Sequence, residues 1–130
     1  MTGALCLALA LFFEARGEPV EAQEAIAGVI LTRVADDRYP STICDVVYES
    51  RQFSWTHDHL SDDPEDYTNH PDVVAWVELQ ALAAQLAESE PYVTSTHYHT
   101  TGVSPQWAAH YELDGRSGDH LFYTNQTPWR

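Results

Sequence analysis

Ala4-Leu5-Cys6-Leu7-Ala8-Leu9-Ala10-Leu11-Phe12-Phe13-Glu14-Ala15-Arg16-Gly17-Glu18 is an apolar, helix-compatible run that delivers one carboxylate just before a Gly-Glu-Pro break. A helix C-terminus carries partial negative charge, and apolar neighbours strip water from the group. Both effects penalise the ionised form and push a carboxyl pKa upward. A Glu held protonated near neutral pH is what a general acid needs, for instance to protonate a glycosidic oxygen. The competing reading is an ordinary exposed Glu at a helix end. The run has the length of a signal-peptide apolar region, yet no Lys or Arg precedes it and it leads straight into Glu14. It is too short to span a bilayer. It reads as a core helix, so any export is expected to come from outside this chain.

Working outward, residues 2–16 form a first helix that Gly17 breaks. Pro19 suits the first turn of a second helix reaching about residue 35. There Ala22, Ile26, Val29, Ile30 and Val34 recur at three- and four-residue steps as one buried stripe. A short helical segment follows Pro40, with Ser41 as its cap and Ile43, Val46 and Val47 inward. Residues 49–71 are polar, acidic and loop-like, with Gln52-Phe53-Ser54-Trp55 as an aromatic island. A third long helix follows Pro71, with Val73, Val74, Trp76, Val77, Ala81 and Ala84 mostly on its inner side, and ends before Pro91. Residues 93–100 are rich in β-formers and read as a strand. The tail holds a Pro105-Gln106-Trp107 island and a final His120-Leu121-Phe122-Tyr123 stretch. The expectation is a single domain over residues 1–130, α+β and mainly helical, with loops long enough to leave a cleft.

The chain has 130 residues, enough for one domain burying roughly two-thirds of its unfolded surface. Its net charge of −14, with six basic residues against twenty acidic ones, argues against nucleic acid, which needs clustered Lys and Arg. It argues equally against docking on or inserting into anionic membranes. A monomer is expected. Cys6 and Cys44 form no Cys-x-x-Cys pair, so zinc-knuckle and thioredoxin readings are unsupported. One internal disulfide and two buried thiols fit the sequence equally well.

Three constellations compete for the chemistry. His57-x-His59 and His97-x-His99, with Asp58, Asp62, Asp63 and His70 near in sequence, resemble transition-metal ligands. No His-Glu-x-x-His motif backs them, so neither a metal nor any other cofactor is expected. No Gly-x-Ser-x-Gly or helix-start cysteine supports a nucleophilic triad. Carbohydrate binding fares better. Trp55, Trp107, Tyr98 and Tyr123 lie in or beside loops, whereas Trp76 looks like core. Sugar C–H faces pack on aromatic planes, and Gln52, Ser54 and Thr96 offer partners for N-acetyl and hydroxyl groups.

These residues also carry a family resemblance. Cys6-Leu7-Ala8 through Glu14-Ala15-Arg16-Gly17-Glu18, then Ala25-Ile26-Ala27-Gly28-Val29-Ile30 and Arg33-Val34, are followed by residues 40–47 with Cys44 and by Gln52-Phe53-Ser54-Trp55. Thr96-His97-Tyr98-His99, Pro105-Gln106-Trp107 and Gly118-Asp119-His120-Leu121-Phe122-Tyr123 complete the order. The chain resembles, over nearly its whole length, the SleB/CwlJ-type cell-wall hydrolases of spore cortex-lytic enzymes and phage lysins.

The resemblance implies a lysozyme-like fold acting on peptidoglycan glycan strands at the bacterial wall, outside the cytoplasm. It implies Glu14 as catalytic acid, and several members are lytic transglycosylases. In that mechanism one Glu protonates the oxygen between N-acetylmuramic acid and N-acetylglucosamine, and its carboxylate then takes the C6 hydroxyl proton as a 1,6-anhydro ring closes. A hydrolase would need a second carboxylate. Glu18, Glu21, Asp58 and Asp62 are the candidates and no motif marks one of them, so transglycosylation is preferred.

Gln52, Ser54, Thr96 and Tyr98 are the expected polar contacts, with Trp55 and Trp107 as sugar-stacking walls. Arg33 is expected to tie the second helix to a loop through a buried ion pair, and His120 to order the C-terminal segment. Cys6 and Cys44 recur together in the family, which implies a disulfide candidate. Thr32 departs from the usual Asn before the Arg, and Ser117-Gly118 from the usual Ile-Gly. With no anchoring module in this chain, a phage lysin or a domain of a longer secreted enzyme would look the same. A metal-dependent amidase using the His pairs and a non-catalytic glycan-binding module are the alternatives.

Overall fold

Almost every face of the first helix is covered, and the rest of the molecule is arranged around that fact. The computed structural model describes residues 1–49, 52–89 and 95–130. Helix α1 spans Gly3–Ala15, opened by Thr2, whose hydroxyl accepts from the Leu5 N–H at 3.1 Å. Gly17 closes it at φ +86°, a left-handed position that a side chain would resist. Cys6 through Phe12, and Ala15, are buried, as a helix apolar on all sides requires.

Helix α2 (Val20–Val34) packs Ala22, Ile26, Val29 and Ile30 into the core. Helix α3 is short (Ile43–Val47) and is capped by Thr42, not Ser41: its hydroxyl accepts from the Asp45 N–H at 3.1 Å. A disulfide between Cys6 and Cys44 ties α3 to the start of α1 across 38 residues of chain. A loop of that length corresponds to about 4 kcal/mol of stabilisation in the chain-entropy account.

Helix α4 (His70–Leu86) begins at the Asn69 cap, with Pro71 in its first turn, and lies against α1. Its inner stripe differs from the expected one. Leu79, Ala83 and Leu86 are buried, with Ala75, Trp76 and Leu82 packed beside them, whereas Val73, Val74, Ala81 and Ala84 face outward and Val77 is 63% exposed. None of the described helices is long and apolar enough to cross a membrane.

A three-stranded antiparallel sheet of β1 (His97–Thr100), β2 (Glu112–Ser117) and β3 (His120–Thr124), in the order β1-β3-β2, closes the other side. Residues 93 and 94 of the expected strand lie outside the described residues. Strand β2 escaped the sequence reading because it is a polar edge whose strand character comes from pairing with β3. Gly118 makes the β2–β3 turn at φ +57°, where an added Cβ would come within 3.1 Å of the Ala22 Cβ. The turn thus sits directly on the start of α2. Short 3₁₀ turns at Ser54–Thr56, Pro64–Asp66 and Gln106–Ala109 punctuate the loops.

Candidate active site

Glu14 stands in the last turn of α1, where that helix emerges from the core into a cleft of about 370 Å³. Gln52, Phe53 and Ser54 from the loop after α3 form one wall, and Tyr98, His99 and Thr100 from β1 form another. Arg33 lies at its inner side, and His57 and Val103 are also in its lining. Burial strips water from the Glu14 carboxyl and pushes its pKa from the usual carboxylate range up to about 7. The Tyr98 hydroxyl, turned toward Glu14, pulls the value partly back down. That hydroxyl is itself buried without a fully aligned hydrogen-bond partner. Its own pKa is driven well above the ordinary phenol value, first by burial and then by the Glu14 charge, so it remains a donor.

The two sides of β1 have different surroundings. Tyr98 contacts Phe122 and lies toward Glu14. On the other side His97 and His99 sit in an aromatic pile with Trp107, Tyr111 and Tyr123, ring centroids 4.8 to 5.7 Å apart. Burial, helped by the charges of Arg33, Arg130 and Arg38, lowers the His97 pKa to about 4, so its ring is neutral at physiological pH. Its Nδ1 lies 2.9 Å from the Thr96 hydroxyl. In His99 the Nδ1 is 2.7 Å from the Thr100 carbonyl, which can only accept, so Nδ1 donates there, and the Nε2 lies 2.9 Å from the Tyr123 hydroxyl.

A model of the family described as Cell Wall Hydrolase matches residues 17–123. The chain belongs to the cell wall hydrolase family. Spore cortex-lytic enzymes of Oceanobacillus iheyensis and Bacillus subtilis are each 46% identical over 48 residues, which is 37% of this chain and 17% and 16% of theirs. The match thus spans less than a fifth of the length of those relatives.

Structural likeness reaches further. The catalytic domain of the germination-specific lytic transglycosylase SleB from Bacillus anthracis superposes with a TM-score of 0.66 at 26% identity, covering 94% of this chain and 93% of that one. The SleB catalytic domain of Bacillus cereus gives 0.64 at 25% identity, covering 94% and 89%. The fold is therefore the mainly helical, lysozyme-like α+β fold of this family. The family match begins after Glu14, whereas the structural match takes in nearly the whole chain.

The expected site residues separate into two groups. Glu14, Gln52, Ser54 and Tyr98 converge on the cleft. Trp55, Trp107 and Thr96 do not. Trp55 is 4% exposed and stacks on Phe13 at 4.9 Å between ring centroids, so it is core; a loop tryptophan next to a large buried helix has more apolar surface to gain inward than outward. Trp107 is not in the lining of the Glu14 cleft; it packs in the aromatic pile behind His99, which borders both. Thr96 is buried with its hydroxyl occupied by His97 and by the Asn125 N–H, and its carbonyl occupied by Arg33.

Arg33 departs from expectation too. Among the described residues its hydrogen-bond partners are the Thr96 carbonyl and the Gln52 side chain, not a carboxylate. Glu18 turns away from the cleft: its Oε1 accepts from the Asp119 N–H at 3.2 Å and lies 3.0 Å from the buried His120 Nδ1. Glu21, Asp58 and Asp62 are exposed elsewhere. Among the described residues lining the cleft, Glu14 is the only carboxylate. No three His, Cys, Asp or Glu side chains among the described residues are grouped to hold a metal ion.

His57, His99 and Val103 were not foreseen as cleft residues. For His57 a signal existed, since it follows the Gln-Phe-Ser-Trp turn by two residues. For Val103 none did.

Proposed function

We propose that this domain cleaves the glycan strands of peptidoglycan between N-acetylmuramic acid and N-acetylglucosamine as a lytic transglycosylase. It acts as a monomer at the bacterial wall, with residues 1–130 as one catalytic unit. The observation that carries this reading is Glu14: a desolvated carboxyl with a pKa near 7, and no second carboxylate among the described residues lining its cleft. A pKa near neutrality lets one group act as acid and then as base. Protonated Glu14 gives its proton to the glycosidic oxygen as the bond to muramoyl C1 breaks. The resulting carboxylate takes the proton of the C6 hydroxyl, and that oxygen bonds to C1. The 1,6-anhydro ring closes, Glu14 is protonated again, and no water is consumed.

Inverting and retaining hydrolases both place a second carboxylate across the scissile bond, at about 5 to 9.5 Å from the first. The nearest such group along the chain, Glu18, is committed to the β2–β3 turn. Gln52, Ser54 and Tyr98 supply the polar contacts that hold the sugar. The relationship to a domain described as a lytic transglycosylase points the same way. The disulfide fits work outside the reducing cytoplasm.

Mass spectrometry of purified peptidoglycan digested with the protein tests the proposal, with Glu14→Gln alongside. Products ending in 1,6-anhydromuramic acid that vanish in the variant are expected. Reducing-end sugars would replace the proposal with hydrolysis, and cut peptides on intact glycan would replace it with an amidase.

A further inference from the structure

Arg33 is a strongly buried cation beside the cleft, 5% exposed, and it is already spoken for on one side. Its Nε donates to the Thr96 carbonyl at 2.8 Å, and its guanidinium carbon lies 5.1 Å from the centre of the Tyr39 ring. These contacts fix the plane of the fork, and its Nη1 donates to the Gln52 side-chain oxygen at 3.2 Å.

A guanidinium offers five donors and no acceptor, and it does not deprotonate in proteins. The end of the Gln52 amide that meets it must therefore be the oxygen, whichever way the amide would turn in isolation. The other end is then set as well: two N–H donors point away from Arg33. Gln52 is exposed and lines the cleft, and its Nε2 has no hydrogen-bond partner among the described residues.

We propose that Arg33 is a positioning residue that locks the Gln52 amide with its donor end toward the cleft, so that this wall selects a sugar bearing an acyl carbonyl over one bearing a free amine. This rests on reading the cleft as a glycan-cleaving site. An acetamido oxygen accepts from Gln52 Nε2. The ammonium of a deacetylated glucosamine brings a donor against a donor, and Arg33 prevents the amide from flipping to answer it. A glutamine without such a lock would serve both sugars by rotating.

The test exchanges the polarity of this one group while keeping the lock. In Gln52→Glu the carboxylate pairs with Arg33 and presents an acceptor to the cleft instead of a donor. Binding of N-acetylglucosamine tetramer and of its fully deacetylated counterpart is measured by calorimetry in the Glu14→Gln background. High salt screens the general attraction of a polyamine to a chain of net charge −14. The ratio of the two affinities is expected to shift toward the amine by about tenfold or more on Gln52→Glu.

Arg33→Met supplies a second arm: it weakens binding of the acetylated tetramer when Gln52 is present, and has little further effect on Gln52→Ala. Should burial of Arg33 make that variant misfold, the Gln52→Glu ratio decides alone, because Gln52 is at the surface. An unchanged ratio, or no binding of either tetramer, overturns the inference. Glycan cleavage by the wild type with an unchanged ratio removes this inference and leaves the proposed function standing. A shifted ratio in a protein that cuts no glycan does the reverse.

Discussion

Glu14 and Glu18 stand four residues apart, in one Glu-Ala-Arg-Gly-Glu stretch, and the molecule uses them in opposite ways. Glu14 is on the last turn of α1, desolvated, in a cleft and facing a single phenol. Glu18 is beyond the Gly17 break, meeting the Asp119 N–H and the His120 ring that hold the β2–β3 turn against α2. Composition is the same; the difference is made by one left-handed glycine that sends the chain out of the helix between them. A carboxylate deprived of water and of strong donors is poised to hold a proton, whereas one surrounded by donors becomes a clamp.

Removing the proposed acid should separate the two most. Glu14→Gln is expected to lower glycan cleavage by about 10²- to 10⁴-fold, the usual worth of general acid–base catalysis. Stability adds a signed check. The folded Glu14 pKa lies above the unfolded one, so the folded state holds an extra proton between about 4.5 and 7. Stability is therefore fully present at acid pH and falls as pH rises through that window, by up to about 3 kcal/mol. Denaturant melts should show Glu14→Gln more stable than wild type at pH 8 and nearly equal to it at pH 4. Equal pH slopes would contradict burial as the cause of the shift.

Glu18→Ala comes next. It takes away the carboxylate beside the buried His120 Nδ1 and leaves the exposed Asp119 N–H to water, and should cost on the order of 1–3 kcal/mol in denaturant melts, while the pH profile of the residual cleavage keeps its alkaline limb. A variant that stays folded and stable but cuts no glycan would make Glu18 a second catalytic carboxylate and erase the contrast. Gly118→Ala should cost about 1–2 kcal/mol, from the left-handed backbone and the Ala22 contact. The smallest effect belongs to Tyr98→Phe. Losing the hydroxyl that pulls the Glu14 pKa down should move the alkaline limb of activity to higher pH, readable in a pH–rate profile.

Much of this was legible in the chain. An apolar run ended by Gly17 is decipherable without tertiary knowledge, because a helix apolar all round has nowhere to go but the core. Gln52, Ser54 and Tyr98, expected as polar contacts, line the Glu14 cleft, and Cys6 and Cys44, a pair implied only by the family resemblance, are bridged. What failed depended on long-range choices.

Helix α4 carries two apolar stripes, Val73-Val74-Val77 and Leu79-Ala83-Leu86, and only the position of α1 decides which is buried. Trp55 and Trp107 are both loop tryptophans beside turns, yet one fills the core against Phe13 and the other caps the outer face of β1. Arg33 sits at the end of an apolar helical stripe. A charge there announces a buried partner, but not that the partners are a carbonyl and an amide.

The proposed chemistry turns on whether Glu14 keeps its proton near neutral pH. A carboxyl-carbon NMR titration, with Glu14 assigned by comparison with Glu14→Gln, measures that without reference to any substrate. A midpoint near 7 is the expected result. A midpoint in the ordinary carboxylate range near 4.3 would leave Glu14 ionised at working pH and would contradict its role as the acid.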